Sequence, residues 1–125
     1  DHLLAHRNLA ELLLSTGRID EAELEFGWVL EREPGDKDAL QGMGRVRASP
    51  GQLSQSLDLL GQALAADPML ATAHYDMARV LAMAGHYRKA ALSLAEAEAL
   101  GLDIPGNFKA KLQRATLLQA SQRVE

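Results

Sequence analysis

The residues best suited to chemistry in this chain are few and scattered. His2 and His6 stand four apart, a spacing that can bring two imidazoles on a helix to one metal ion. A zinc site needs a third protein ligand, and only Asp1 stands near, so no metal site is expected. Gly42-Met43-Gly44 opens like a dinucleotide-binding loop, but Arg47 stands where the final glycine belongs and no strand precedes it. Close helix packing explains Gly44 better. His74 falls at a packing position and His86 in a turn, where exposure is the default. Serines, histidines and acids all lie outside any nucleophile-elbow or zinc-protease pattern. The chain has no cysteine, which removes a disulfide framework and a thiolate metal site. Neither an active site nor a cofactor is expected. What remains is recognition by surface side chains.

Composition narrows the partner. At 125 residues and 47% apolar content the chain can bury a core. Its formal charge of −4 argues against a general nucleic-acid binder, which carries a basic surplus. No apolar run approaches the roughly 18 to 20 residues that span a bilayer, so no membrane insertion is expected. The longest leucine-rich piece, Leu9 to Leu14, is interrupted by Glu11. No secretory signal is visible, which favours the cytoplasm without establishing the compartment. The abrupt start on Asp1-His2-Leu3 reads as a cut from a longer protein.

The elements that must position any site follow from a fixed period. Gly17, Gly51 and Gly85 are spaced by 34 residues, as are Ala22, Ser56 and Ala90, then Phe26, Leu60 and Leu94, and the pair Pro34 and Pro68. Such recurrence of small, bulky and chain-turning residues marks a tandem structural unit. In the first unit Leu9, Ala10, Leu13 and Leu14 form a helical stripe, closed by Gly17 in the left-handed conformation. Asp20 and Glu21 open a second helix, whose buried face is Ala22, Phe26, Val29 and Leu30. The second unit repeats this plan with Leu40, Met43, Gly44 and Arg47 on its first stripe. Gly42 and Gly44 each lower helix stability by about 1 kcal/mol relative to alanine, so this unit is expected to be the softest. The third unit has His74, Met77, Ala78 and Leu81, then Tyr87, Ala90, Leu94 and Ala97, followed by a longer turn before Pro105. Asn107 can cap a last helix from Phe108 to about Gln122, apolar at Phe108, Leu112, Ala115 and Leu118. A terminal helix with polar sides is what a repeat stack needs to cover its last open face.

With these marks the 34-residue unit resembles the tetratricopeptide repeat. The family's successive key positions fall on His6, Leu9, Ala10, Leu13, Ala22, Phe26, Val29 and Pro34 in the first unit. They fall on Leu40, Met43, Gly44, Arg47, Ser56, Leu60, Ala63 and Pro68 in the second. In the third they are His74, Met77, Ala78, Leu81, Ala90, Leu94, Ala97 and Leu102. The resemblance covers 102 of the 125 residues without a gap. His6, His74, Arg47 and Leu102 depart from the pattern. It implies an all-α fold, a right-handed α-α superhelix of seven helices. The repeats would span 3–36, 37–70 and 71–104, with a capping helix over 105–125, as a single domain.

The same resemblance implies a concave wall that cradles a peptide. Its candidate residues here are Arg7, Glu11, Gln41, Arg45, Tyr75, Arg79 and Met83, continued by Lys109. Four cations on that wall in an acidic chain suggest an acidic or carboxylate-bearing peptide, since arginine forks onto carboxylates. The plain alternative is that these are solvated side chains paired with Glu11, Asp38 or Asp76. A subclass that clamps chaperone tails needs lysines, asparagines and an arginine where this chain has Arg7, Glu11, Gly42, Thr72 and Asp76, so that clamp is not expected. Trp28 falls on the outer side of its helix. It either folds against its own repeat or joins Leu3 in an interface, the latter giving weak homo-oligomers through the end faces. The expected function is therefore a scaffold for protein interaction. The alternatives are a structural spacer or oligomerisation module, or an accessory domain fused to an enzyme such as a glycosyltransferase.

Overall fold

The computed structural model describes residues 2–124, so Asp1 lies outside the described residues. Seven α-helices and no strands are found among them: α1 (His2–Ser15), α2 (Ile19–Arg32), α3 (Lys37–Val46), α4 (Leu53–Ala66), α5 (Ala71–Met83), α6 (Tyr87–Ala99) and α7 (Gly106–Val124). None is long and apolar enough to cross a membrane among the described residues. The chain divides into two compact units, Asp1–Pro68 and Met69–Glu125.

In the first unit α1 packs on α2 and α3, α2 on α3, and α3 on α4. Gly17 and Gly51 close helices at φ of 82° and 92°, the left-handed geometry that a Cβ would strain. The core gathers Ala10, Leu13, Ala22, Phe26, Val29, Ala39 and Val46. Leu9 is not part of it, being 42% exposed. Helix α1 has helical neighbours on one side only, and they take the Ala10/Leu13 stripe.

The glycines of α3 serve close packing. A Cβ on Gly42 would clash with the far end of the Phe26 ring, at its Cζ, and one on Gly44 would meet Leu60 Cγ at 2.8 Å. Both Phe26 and Leu60 are fully buried. Ser56, also buried, donates its hydroxyl to the Gly44 carbonyl at 2.6 Å and ties α4 to α3. The cost of two glycines in helix propensity is thus offset by approach of the neighbouring side chains. Helix α3 stops at Val46, which takes the buried place expected of Arg47. Arg47 instead reaches Glu23 of α2 in a close ion pair.

In the second unit α5 packs on α6 and α6 on α7. Its buried residues are small or medium: Ala73, Ala78, Val80, Leu81, Ala90, Leu94, Ala97 and Leu112. Gly85 closes α5 at φ 83°, and the longer connection to α7 turns at Gly101, φ 96°. Helix α7 begins at Gly106, so Asn107 lies inside its first turn rather than capping it. Its Oδ1 still accepts from the Phe108 N–H at 3.0 Å. Leu118, expected on the buried side, is 64% exposed; α6 is the main neighbour of this helix, and Leu112 is buried against it.

Candidate functional site

Arg7 lies on α1, and its guanidinium is already engaged. One nitrogen donates to Asp36 Oδ2 at 2.6 Å, and Asp38 stands at 3.8 Å from the other. Asp36 has a second task as the N-cap of α3, its Oδ1 accepting from the Ala39 N–H at 2.9 Å. With side chains only 23% and 10% exposed, this pair is shielded enough to hold. Arg7 thus anchors α1 to the start of α3 rather than presenting a free cation. The Asp38 partner was among those that sequence reasoning offered; Asp36 was not, although an aspartate before Lys37-Asp38-Ala39 is a cap signal.

The remaining candidates of the first unit divide. Glu11 is exposed, as is Arg45, whereas Gln41 is buried at 6% exposure. Helix α3 is enclosed by α1, α2 and α4, which leaves Gln41 little open surface. Leu3 is half-buried and packs on the core, as does Trp28. The Trp28 indole is sandwiched: the His6 ring stacks on it at 3.6 Å and 19°, and the Arg32 guanidinium lies 3.7 Å from its centroid. His6 Nδ1 sits 2.5 Å from Glu25 Oε2. A flat aromatic between an imidazole and a cation, with a carboxylate holding the imidazole, is a closed intra-unit arrangement. It places Trp28 and His6 against their own repeat.

The second unit keeps its candidates open. Tyr75 of α5 meets Phe108 of α7 edge to face, with centroids 5.7 Å apart. Arg79, one turn along α5, lies 5.8 Å from the Tyr75 centroid, is exposed and has no carboxylate partner among the described residues. Met83, a further turn on, is 50% exposed. Positions 75, 79 and 83 advance by four, so one face of α5 carries an aromatic, a cation and a thioether in line. Asp76 is buried on another side of the helix. Lys109 does not join this row: its Nζ bonds Glu98 Oε2 of α6 at 2.9 Å. Phe108 is the residue of α7 that does. Sequence reasoning assigned it only to the apolar side of α7, and its aromatic ring four residues short of Leu112 was the available signal.

Among the described residues no group of three His, Asp or Glu side chains could hold a metal ion. Among the described residues the pKa of Lys37 is raised, first by its hydrogen bond to Asp67 at 2.7 Å and then by that carboxylate's charge. It is a surface tie within the first unit.

No family model matches the chain. Over 54 residues it is 39% identical to the cellulose synthase 1 operon protein C of Komagataeibacter xylinus, a match spanning 43% of this chain and 4% of that protein. Among solved structures it is similar to an O-GlcNAc transferase mutant of Thermobaculum terrenum, with a TM-score of 0.77 and 27% identity over 80% of this chain and 19% of that one. The type III secretion chaperone SycD of Yersinia enterocolitica, in complex with a peptide of the translocator YopD, matches at TM-score 0.71 and 20% identity. That match covers 98% of this chain and 92% of SycD. The TPR2B domain of yeast Sti1, in its pHsp70 complex, matches at 0.74 and 14% over 97% and 98% of the two chains. The chain has the tetratricopeptide-like helical-repeat fold, all-α throughout the described residues.

Proposed function

We propose that this chain is a protein-interaction scaffold, three tetratricopeptide repeats with a capping helix, that binds a partner peptide along the open face of α5. The carrying observation is the Tyr75–Arg79–Met83 row, backed by Phe108, in which no cation is consumed by an internal carboxylate. An aromatic plate seats an apolar side chain, and the adjacent guanidinium forks onto a carboxylate. The ligand that fits is an extended or helical peptide with an acidic residue one turn from an apolar one. The SycD and Sti1 structures, each of similar fold and each a complex with a partner of its own, support binding as the mode of action. Arg7 and Lys109 drop out of the ligand contact in this reading, since Asp36 and Glu98 neutralise them.

The test is a random-peptide selection on the immobilised chain, with binders then titrated against the chain and its Arg79→Glu variant. Acidic binders that lose about tenfold or more in affinity for the variant support the reading. Binders of no common charge, or equal affinity for both proteins, overturn the arginine's role. A second reading, an accessory module within a larger enzyme-bearing protein, is favoured by the transferase match, in which the similar region is 19% of that chain. The sequence flanking this chain in its gene tests it: a catalytic domain there supports it, and non-catalytic sequence on both sides removes it.

A further inference from the structure

Formal charge divides unevenly between the two units. The unit Asp1–Pro68 holds twelve acids against six lysines and arginines, and Met69–Glu125 holds five against seven. The chain's −4 is therefore −6 in the first unit and +2 in the second. Such asymmetry points to a partner of opposite sign for the basic half. Where α6 begins and α7 ends, an open cleft of about 260 Å³ is lined by Gly85, His86, Arg88, Lys89, Gln119 and Arg123. No carboxylate among the described residues lines it. The acids of α6, Glu96 and Glu98, stand seven and nine residues beyond Lys89, about 10 Å or more along the helix.

One hydrogen bond fixes the two walls of the cleft. Gln119 Nε2 donates to the Gly85 carbonyl at 3.0 Å, which ties α7 to the turn before α6. Arg123, one turn beyond Gln119, lines the cleft together with Arg88 and Lys89. All three cations are exposed, with no carboxylate partner among the described residues. Helix α6 adds to them, since its first turn carries no acid and His86 makes no side-chain cap. Like charges gathered around one cleft repel, and a bound anion removes that cost. Chemistry decides which anion. A carboxylate brings one negative charge and two oxygens, too few for two guanidinium forks and an ammonium. A phosphomonoester brings a charge of about −1.5 to −2 and three acceptor oxygens. The cleft is smaller than the roughly 300 to 1,000 Å³ of pockets for drug-sized ligands, which suits a phosphoryl group on a short arm.

We infer that this cleft binds a phosphomonoester, with Arg88, Lys89 and Arg123 on its oxygens and Gln119 positioning α7. The site shares no residue with the Tyr75–Arg79–Met83 row, so it stands or falls independently of any peptide bound there. The phosphoryl group is carried either by a small metabolite or by a phosphorylated side chain of a partner.

The experiment is a nitrogen–proton correlation titration of the 125-residue chain with phosphoserine, and with succinate as a dicarboxylate comparator. Saturable shifts are expected at Gly85, Arg88, Lys89 and Gln119, with a Kd of about 1 mM and succinate at least about tenfold weaker. Arg88→Ala and Arg123→Ala, each first shown by circular dichroism to fold like the parent, should weaken binding about tenfold. Lys111→Ala removes an exposed cation of α7 outside the cleft and should leave the affinity unchanged. A serine-phosphorylated peptide is titrated alongside. Binding about tenfold tighter than phosphoserine places the group on a partner chain, and equal or lower affinity makes its carrier a free metabolite. Both results support the site. Shifts that never saturate overturn it, as does equal affinity for succinate. So does a loss from Lys111→Ala as large as that from Arg88→Ala, which would leave only a diffuse basic surface.

Discussion

The two units use charge in opposite ways. In the first, cations are tied to carboxylates on other segments: Arg7 to Asp36, Arg47 to Glu23, Lys37 to Asp67. His6 meets Glu25 in the same manner. In the second, Lys109–Glu98 is the ion pair found between helices of that unit among the described residues. Arg79, Arg88 and Lys89 have no carboxylate partner there. The cores differ in parallel. The first unit wraps a phenylalanine around glycines, whereas the second stacks alanines at Ala73, Ala78, Ala90 and Ala97. Polar side chains that fasten helices together are unavailable to a ligand, and those on an alanine-packed pair remain available. The same repeat thus serves as a clasp in one unit and leaves cationic side chains without a carboxylate partner on open helix faces in the other.

The largest expected effect breaks the first unit at its tightest approach. Gly42→Ala drives a methyl into the fully buried Phe26 ring, and the rigid aromatic has no room to yield. The gain of about 1 kcal/mol in helix propensity is outweighed, for a net loss of about 2 kcal/mol read by urea denaturation. Adding Phe26→Leu should cost less in the Gly42→Ala background than in the parent. Additive losses would show that the ring is not the obstacle.

Next in size is the Asp36 junction. Asp36→Ala removes both the cap to Ala39 and the partner of Arg7, and should destabilise by about 2 kcal/mol. Asp36→Asn keeps an N-capping oxygen, and should lose about half as much. Equal losses from both changes would place the whole effect in the ion pair.

Arg79→Glu sharpens the contrast from the other side. Its stability change should stay within about 0.5 kcal/mol, because the side chain is exposed and unpaired, while affinity for acidic peptides falls. A marked drop in melting temperature would make Arg79 structural, like Arg7.

The smallest effect is in pH dependence. The pKa of Lys37 is raised above the ordinary 10.5 in the folded chain, first by the hydrogen bond to Asp67. Its contribution is therefore complete below that value and is lost as pH rises through the higher, folded one. Melting temperature against pH should decline slightly more steeply above about pH 10.5 for the parent than for Lys37→Met.

Most of the fold was legible from the period. Gly17, Gly51 and Gly85 all take positive φ, and Ala22, Phe26, Leu60, Ala90, Leu94 and Ala97 are all buried where the stripe placed them. Local spacing carries that information because a helix has one geometry. The candidate site was less legible. Whether Arg7 is free depends on Asp36, 29 residues away, and the cap that aims this carboxylate was not taken into account. Gln41 and Leu9 exchanged their expected environments because burial depends on how many helices surround each one, which no single stripe encodes. Gly42 was read as a weakness until the ring it accommodates was in view.

The measurement that bears most directly on the binding face is a nitrogen–proton correlation spectrum of the chain during titration with a selected acidic peptide. Shifts gathered at Tyr75, Arg79, Met83 and Phe108 are the predicted result. Shifts centred instead on Arg7, Glu11 and the start of α3 would contradict it, and would return the ligand to the unit whose charges are here assigned to holding the fold.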